Sequence, residues 1–175
     1  MGGDNGPSAI IAGMANAAKT NSKVRFIING DKTVLDQLIL KRKILENICE
    51  VRHTTDIISM DDKPTYAMRN GKESSMWSTI DAVKNKEAHA AVSCGNTGAL
   101  MAISMIRLRK LPGVYRPAIA ILWPSSNNLG FNFMLDVGAD IRADAPDLLK
   151  YALMGASYAR NGFGPVSYTH LTLPT

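Results

Sequence analysis

The stretch that most constrains this chain runs from Ser93 through Cys94, Gly95, Asn96, Thr97 and Gly98 to Ala99. Before it, Ala88-His89-Ala90-Ala91-Val92 is small and apolar and predicts a buried strand. After it, Leu100-Met101-Ala102-Ile103-Ser104-Met105-Ile106 predicts an apolar helix, closed by Arg107, Arg109 and Lys110. A strand, a glycine-rich turn and a helix N-terminus in that order build an anion site. The first-turn N–H groups have no intrahelical acceptor, and the macrodipole places about half a positive charge there. Gly95 and Gly98 lack the Cβ that would keep a phosphate from those amides, and Asn96 and Thr97 suit either a helix cap or a ligand contact. The same pattern also suits an ordinary capped junction with no ligand, and the local residues leave the two readings level.

A chain of 175 residues has the size of one domain with a proper core. Hydrophobic residues make up 46% and charged residues 20%, which excludes a disordered tail. The net charge of +5 is modest and its lysines and arginines are scattered. That balance suits a small anionic substrate or an acidic protein partner, and it argues against nucleic acid, which calls for a basic stripe. Cys49 and Cys94, with His53, His89 and His170, show no metal-ligand spacing and no disulfide framework, so no metal or cofactor is expected and a reducing cytoplasm is the default. No secretory signal is visible. Pro117 to Leu135 carries no charge, but Pro124, Ser125, Ser126, Asn127, Asn128 and Gly130 break it, so it predicts two strands and a loop rather than a membrane span.

In chain order, Met1-Gly2-Gly3-Asp4-Asn5-Gly6-Pro7 is a glycine-rich loop, and Pro7 with Ser8 opens a helix that runs to Ala18. Such a loop normally follows a strand, so a first strand is expected to be missing. Val24–Ile28 is the next strand; Asp31 then caps a helix whose apolar face is Val34, Leu35, Leu38 and Ile39. A short strand is expected around Ile48 and Val51, a turn at Asp61-Asp62-Lys63-Pro64, and a helix over Ser75–Lys86 with Trp77, Ile80 and Val83 inward. Leu111-Pro112-Gly113 ends the helix after the central loop. Ala118–Trp123 reads as a strand covered on both faces, Phe131–Val137 as a further strand, and Ala145–Ala159 as the last helix. Alternating strands and helices predict an α/β protein, a three-layer α/β/α sandwich with a largely parallel sheet. Residues 1–163 are expected to form part of one α/β domain. The stretch 164–175 has neither caps nor amphipathic spacing and reads as a non-native tail.

Several further motifs stand in a fixed order: Lys63-Pro64, Arg69, Lys72 and Ser74-Ser75-Met76, Pro112-Gly113, Arg116-Pro117-Ala118, Leu135-Asp136-Val137-Gly138-Ala139, Met154-Gly155 and Tyr158-Ala159. Together with Met1-Gly2-Gly3-Asp4, Pro7 and the Ser93–Ala99 loop, this set resembles the PlsX-type phosphate acyltransferases of bacterial phospholipid synthesis, from Met1 to about Gly162. Cys94 stands where the family has alanine, Asp140 where it has asparagine, and Asn70, Gly71 and Glu73 thin the basic run around Arg69. The resemblance implies a fold like that of phosphotransacetylases and isopropylmalate dehydrogenases. It implies transfer of a fatty acyl group from acyl carrier protein to inorganic phosphate, giving acyl phosphate. It also implies a homodimer, a membrane glycerol-3-phosphate acyltransferase as a partner, and a cytoplasmic location peripheral to the inner face of the membrane.

Those residues suit the reaction. Phosphate is already an oxygen nucleophile, and a thiol with a pKa of about 8.5 leaves readily as thiolate. The protein has to hold phosphate in line, reduce repulsion between anions and stabilise the tetrahedral oxyanion. Ser93, Gly95, Asn96, Thr97 and Gly98 are the expected phosphate ligands, with Asn96 and Thr97 acting catalytically, and Gly2, Gly3 and Asp4 as a substrate loop. Lys72 is the candidate for charge compensation with Ser74 as an added donor; the alternative is a solvated lysine beside an N-cap serine. Asp136 and Asp4 are each either a base or orienter, or a structural loop bond, with the structural reading favoured for Asp4. Cys94 reads as a small buried residue, His89 as a core histidine, and Met76, Met101 and Met105 as core packing. A short-chain phosphotransacetylase using coenzyme A thioesters would employ the same site, and an inactive fragment is the non-catalytic alternative. A dehydrogenase ranks low because no G-x-G-x-x-G with a following acidic residue is present.

Overall fold

In a computed structural model the described residues are 3–114, 117–137 and 143–163. The chain forms two compact units, Met1–Arg109 and Lys110–Thr175.

The first unit is built on two parallel strands, β1 (Phe26–Gly30) and β2 (Cys49–His53), in register from Phe26 opposite Cys49 to Gly30 opposite His53. Helix α1 (Gly6–Thr20) opens with Pro7, whose missing N–H falls where no acceptor exists. Helix α2 (Lys32–Leu40) is capped by Asp31, which accepts from the amides of Thr33 and Val34. Ile11, Ala15 and Ala18 of α1, Leu35 and Ile39 of α2, and Leu45 bury together against Phe26, Ile28 and Val51. Strand side chains alternate between faces, so Asn29 points the other way, where its amide donates to Thr79 and its oxygen accepts from Ser78. Those partners lie on α4 (Ser75–Lys84), which therefore covers the second face. Helix, sheet and helix give the expected α/β/α layering on a small parallel sheet.

Beyond that layer, α3 (Pro64–Asn70) and α5 (Thr97–Leu108) pack with α4 around Ile58, Ala67, Trp77, Ile80, Ala99 and Ile103. Arg107, near the end of α5, pairs with Asp81 and lies 5.5 Å over the Trp77 ring. On the surface Arg52 bridges Glu50 and Glu87; those bonds hold the guanidinium above its ordinary range and the Glu87 carboxyl below its own.

The second unit holds an antiparallel hairpin, β3 (Ala120–Pro124) and β4 (Phe131–Leu135), under α6 (Ala145–Phe163). Asp144 caps α6 by accepting from the amide of Asp147. Phe131 and Phe133 meet Phe163, and Phe133 meets Tyr158, in tilted and edge-to-face contacts at 4.9–5.5 Å.

Four expectations need correction. Residues 88–92 form no strand: no ladder pairs them among the described residues, Val92 is 84% exposed, and His89 is exposed rather than in a core. An apolar run supplies only one half of a ladder, and the Ala88 amide instead donates back to the Ala82 carbonyl at the end of α4. The strand over 120–124 is not covered on both faces, since Leu122 and Trp123 are about half exposed. A two-stranded hairpin with one helix on it has an open side. Met76 is buried, but Met105 lies on the exposed side of α5. Val83 is only half-buried, and Met76 and Ala82 join Trp77 and Ile80 on the inner side of α4.

Ile103 and Ile106 sit one turn apart on α5, one fully buried and one 51% exposed. Ile103→Ala is expected to lower stability by about 2–5 kcal/mol and Ile106→Ala by no more than about 0.5 kcal/mol, read by urea denaturation with Trp77 fluorescence. Equal losses would mean that the core does not lie where these contacts put it.

Candidate functional site

The central loop is held by its own side chains. Ser93 Oγ accepts from the Gly95 amide at 3.2 Å, which tightens the turn. Asn96 caps α5: its Oδ1 accepts from the Ala99 amide at 2.9 Å, and its carbonyl accepts from Leu100. The amides of Thr97 and Gly98, and the Thr97 hydroxyl, have no acceptor or donor among the described residues. Thr97 is exposed and Gly98 half-buried, at the positive end of a 12-residue helix. That is the arrangement an anion uses.

Two other loops gather on this mouth. A Cβ at Gly3 would lie 2.7 Å from the Cys94 carbonyl oxygen, so only glycine lets the N-terminal loop rest on the central one. Gly6 donates back to the Gly3 carbonyl, closing a turn whose exposed corner is Asp4. The third loop is Ser59–Lys63. The Asn96 Nδ2 lies within hydrogen-bonding distance of the carbonyls of Ser59, Met60 and Asp62, at 3.1, 2.9 and 2.8 Å. Next to it a Cβ at Gly98 would meet the Pro64 ring at 2.9 Å, so the space that Gly98 leaves is filled by the start of α3. Beside this start lies a shallow open groove of about 420 Å³, lined by Asp61, Asp62, Lys63, Tyr66 and Arg69.

The remaining candidates are placed differently. Ser74 is fully buried; its hydroxyl donates to the Gly71 carbonyl and accepts from the Trp77 amide, which makes it the cap of α4. Lys72 is exposed on the 3-10 turn Gly71–Glu73, with no ion-pair partner among the described residues. Asp136 belongs to the second unit, directly after β4, in the left-handed region at φ 63°, where its amide donates to the Ile119 carbonyl. Aspartate tolerates that conformation better than most residues. Cys94 is exposed rather than buried. The half-buried Cys49 thiol is pushed above its ordinary pKa by burial. Gly2, Arg116, Gly138, Ala139, Asp140 and the stretch 164–175 lie outside the described residues. Among the described residues no group of three acidic, histidine or cysteine side chains could hold a metal, and no helix is long and apolar enough to cross a membrane.

The loop, its cap and the Gly-Gly-Asp turn stood out in the sequence. Pro64 stood out as a turn and motif residue, but its contact with Gly98 and the three carbonyls on Asn96 did not, because partners more than 30 residues away leave no local pattern.

A family profile described as "Fatty acid synthesis protein" matches residues 1–167. A protein named phosphate acyltransferase from Jannaschia sp. (strain CCS1) is 67% identical over 162 residues, covering 93% of this chain and 44% of that protein. Those from Paracoccus denitrificans (strain Pd 1222) and Dinoroseobacter shibae (strain DSM 16493 / NCIMB 14021 / DFL 12) are 63% and 62% identical over 164 residues, covering 94% of this chain and 44% and 43% of theirs. The chain thus spans less than half the length of the curated relatives it matches.

Two glycine-to-alanine changes in helices of the first unit are expected to act with opposite sign. Gly98→Ala overpacks Pro64 and should destabilise by about 1–3 kcal/mol. Gly13→Ala, exposed inside α1 with nothing within 4 Å, should stabilise by about 0.5–1 kcal/mol. Thermal melting of the two variants checks this, and a neutral Gly98→Ala would deny the close approach of α3.

Proposed function

Because the chain belongs to the PlsX-type phosphate acyltransferase family, we propose that its protein transfers a fatty acyl group from acyl carrier protein to inorganic phosphate. Residues 1–163 are read as the N-terminal part of one α/β acyltransferase domain. What carries the reading is the open pair of Thr97 and Gly98 amides at the mouth of α5, with the Thr97 hydroxyl beside them. An oxyanion of phosphate placed there accepts hydrogen bonds that no group among the described residues takes. A second phosphate oxygen then attacks the thioester carbonyl, a C–O bond forms, the C–S bond breaks, and the thiolate leaves. The bound anions repel each other, and Lys72 offsets that charge. Ser93, Gly95 and Ser74 serve by shaping the loop and the start of α4, and Gly3 holds the N-terminal loop against Cys94.

The partners proposed are those that the family resemblance implies. They are acyl carrier protein as donor, a second copy of the chain, and a membrane acyltransferase that consumes the acyl phosphate. The location is the cytoplasm, peripheral to the inner face of the membrane.

The test supplies inorganic phosphate with either acyl-acyl carrier protein or acyl-coenzyme A and follows the phosphate-dependent release of free thiol. Product from the carrier-protein thioester is expected, with turnover lowered roughly a hundred- to a thousand-fold in Thr97→Val, and with the phosphate KM raised in Lys72→Ala. Product from short coenzyme A thioesters alone would assign a phosphotransacetylase instead. Binding of phosphate without any product would leave an inactive fragment.

A further inference from the structure

Asn96 is 8% exposed, and both ends of its carboxamide are engaged inside the protein. The oxygen takes the Ala99 amide, and the nitrogen, with two hydrogens, faces the carbonyls of Ser59, Met60 and Asp62. The amide that must accept from Ala99 N–H is the oxygen, so this network sets the orientation of the group. We infer that Asn96 is a positioning residue, whose carboxamide holds the Ser59–Asp62 turn on the first turn of α5 and so sets Lys63 and Pro64 beside the open Thr97 and Gly98 amides. This deepens the phosphate reading above and rests on it.

The turn has little else to hold it. Within it, Ser59 donates to the Asp62 carboxylate at 2.8 Å, and Asp62 donates back to the Ser59 carbonyl at a long 3.3 Å. Both bonds are local, so they shape the turn without anchoring it. No other long-range hydrogen bond reaches residues 59–62 among the described residues. The Pro64 ring against Gly98 then makes the contact one of shape as well as polarity, since any retreat of the turn opens a gap under that ring. Lys63 precedes Pro64 and is exposed, so its cationic head is carried by the same clamp. Asn96 therefore acts on phosphate through the turn it anchors rather than by touching it.

Two substitutions separate the halves of the carboxamide. Serine is as good an N-cap as asparagine but is too short to reach the turn and has no amide donor. Asn96→Asp keeps the acceptor for Ala99 and sets an acceptor against three carbonyls. The experiment uses the 175-residue chain and reads amide hydrogen exchange together with amide resonances titrated with inorganic phosphate. In both variants the Ala99 amide and the Leu35 amide, in the other core cluster, should keep their protection within about threefold. The Ser59, Asp62 and Tyr66 amides should lose protection by about tenfold or more. The Thr97 and Gly98 resonances should then need about tenfold more phosphate to saturate. Protection factors in Asn96→Asp should recover as pH falls through the carboxyl titration, because the protonated form regains an O–H donor; a residue that only capped α5 would show no such recovery. Unchanged protection at Ser59 and Asp62 overturns the proposal, as does lost protection with undiminished phosphate affinity. If Asn96→Ser also exposes Leu35, the pH course of Asn96→Asp decides. Wild-type chain whose Thr97 and Gly98 resonances ignore phosphate would sink the phosphate reading, while the exchange and pH arms still rule on the clamp.

Discussion

One carboxamide joins the parts of the first unit that carry no regular hydrogen-bonded ladder. Asn96 ends an irregular segment and begins α5, and its nitrogen reaches a turn that precedes α3. A buried amide donor without an acceptor costs about 1–3 kcal/mol, so the turn and the helix mouth favour the same arrangement together. The helices then add a steric condition. Pro64 fills the space left by Gly98, and Ile58 sits against Gly71 with 3.1 Å to where a Cβ would stand. Polar satisfaction fixes direction here, and close packing fixes distance.

The sheet contributes in a different way. Among the described residues β1 and β2 form the one parallel ladder, and they are sandwiched by α1 and α2 on one face and α4 on the other. Asn29 is the hinge of that second contact, giving and receiving one bond each with Thr79 and Ser78. Because α4 also buries Trp77 and Ile80 with α5, the sheet reaches the central loop through α4 rather than through a strand of its own. Ser74, buried as the cap of α4, belongs to this support.

Local signals in the sequence were reliable wherever a cap, a proline or a helical period decided the outcome. Pro7 marked the start of α1, Asp31 the start of α2, and the Asn96–Ala99 spacing the start of α5. The charge-free run from Pro117 to Leu135 resolved into two strands and a turn, because Pro124 and Asn127 to Gly130 chain polar backbone through it. Strand partners were not readable in the same way. Ala88–Val92 has the composition of a buried parallel strand, but pairing is a property of two segments. Burial of His89 was inferred from that strand and failed with it, and Cys94, read as a small buried residue where the family has alanine, is exposed. The site divided along the same line. Its cap and glycines were visible locally, while the roles of Gly98 and Asn96 depend on Pro64 and on three distant carbonyls.

That division bears on how such a mouth handles a doubly charged ligand. Side chains recruited to bind phosphate bring rotamer entropy and, for lysine, a flexible stem. The Thr97 and Gly98 amides bring neither, since their direction is set by α5 once Asn96 has capped it. In the proposed reaction, donors fixed before the ligand arrives would need no reorganisation as charge moves from phosphate oxygen to thioester oxygen. A nucleophile that is already anionic needs restraint and placement more than activation. At this mouth Ser93 and Asn96 are engaged within the protein while the Thr97 and Gly98 amides have no partner among the described residues, which would divide those tasks for the proposed phosphate between side chains that hold the loop and backbone that meets the anion.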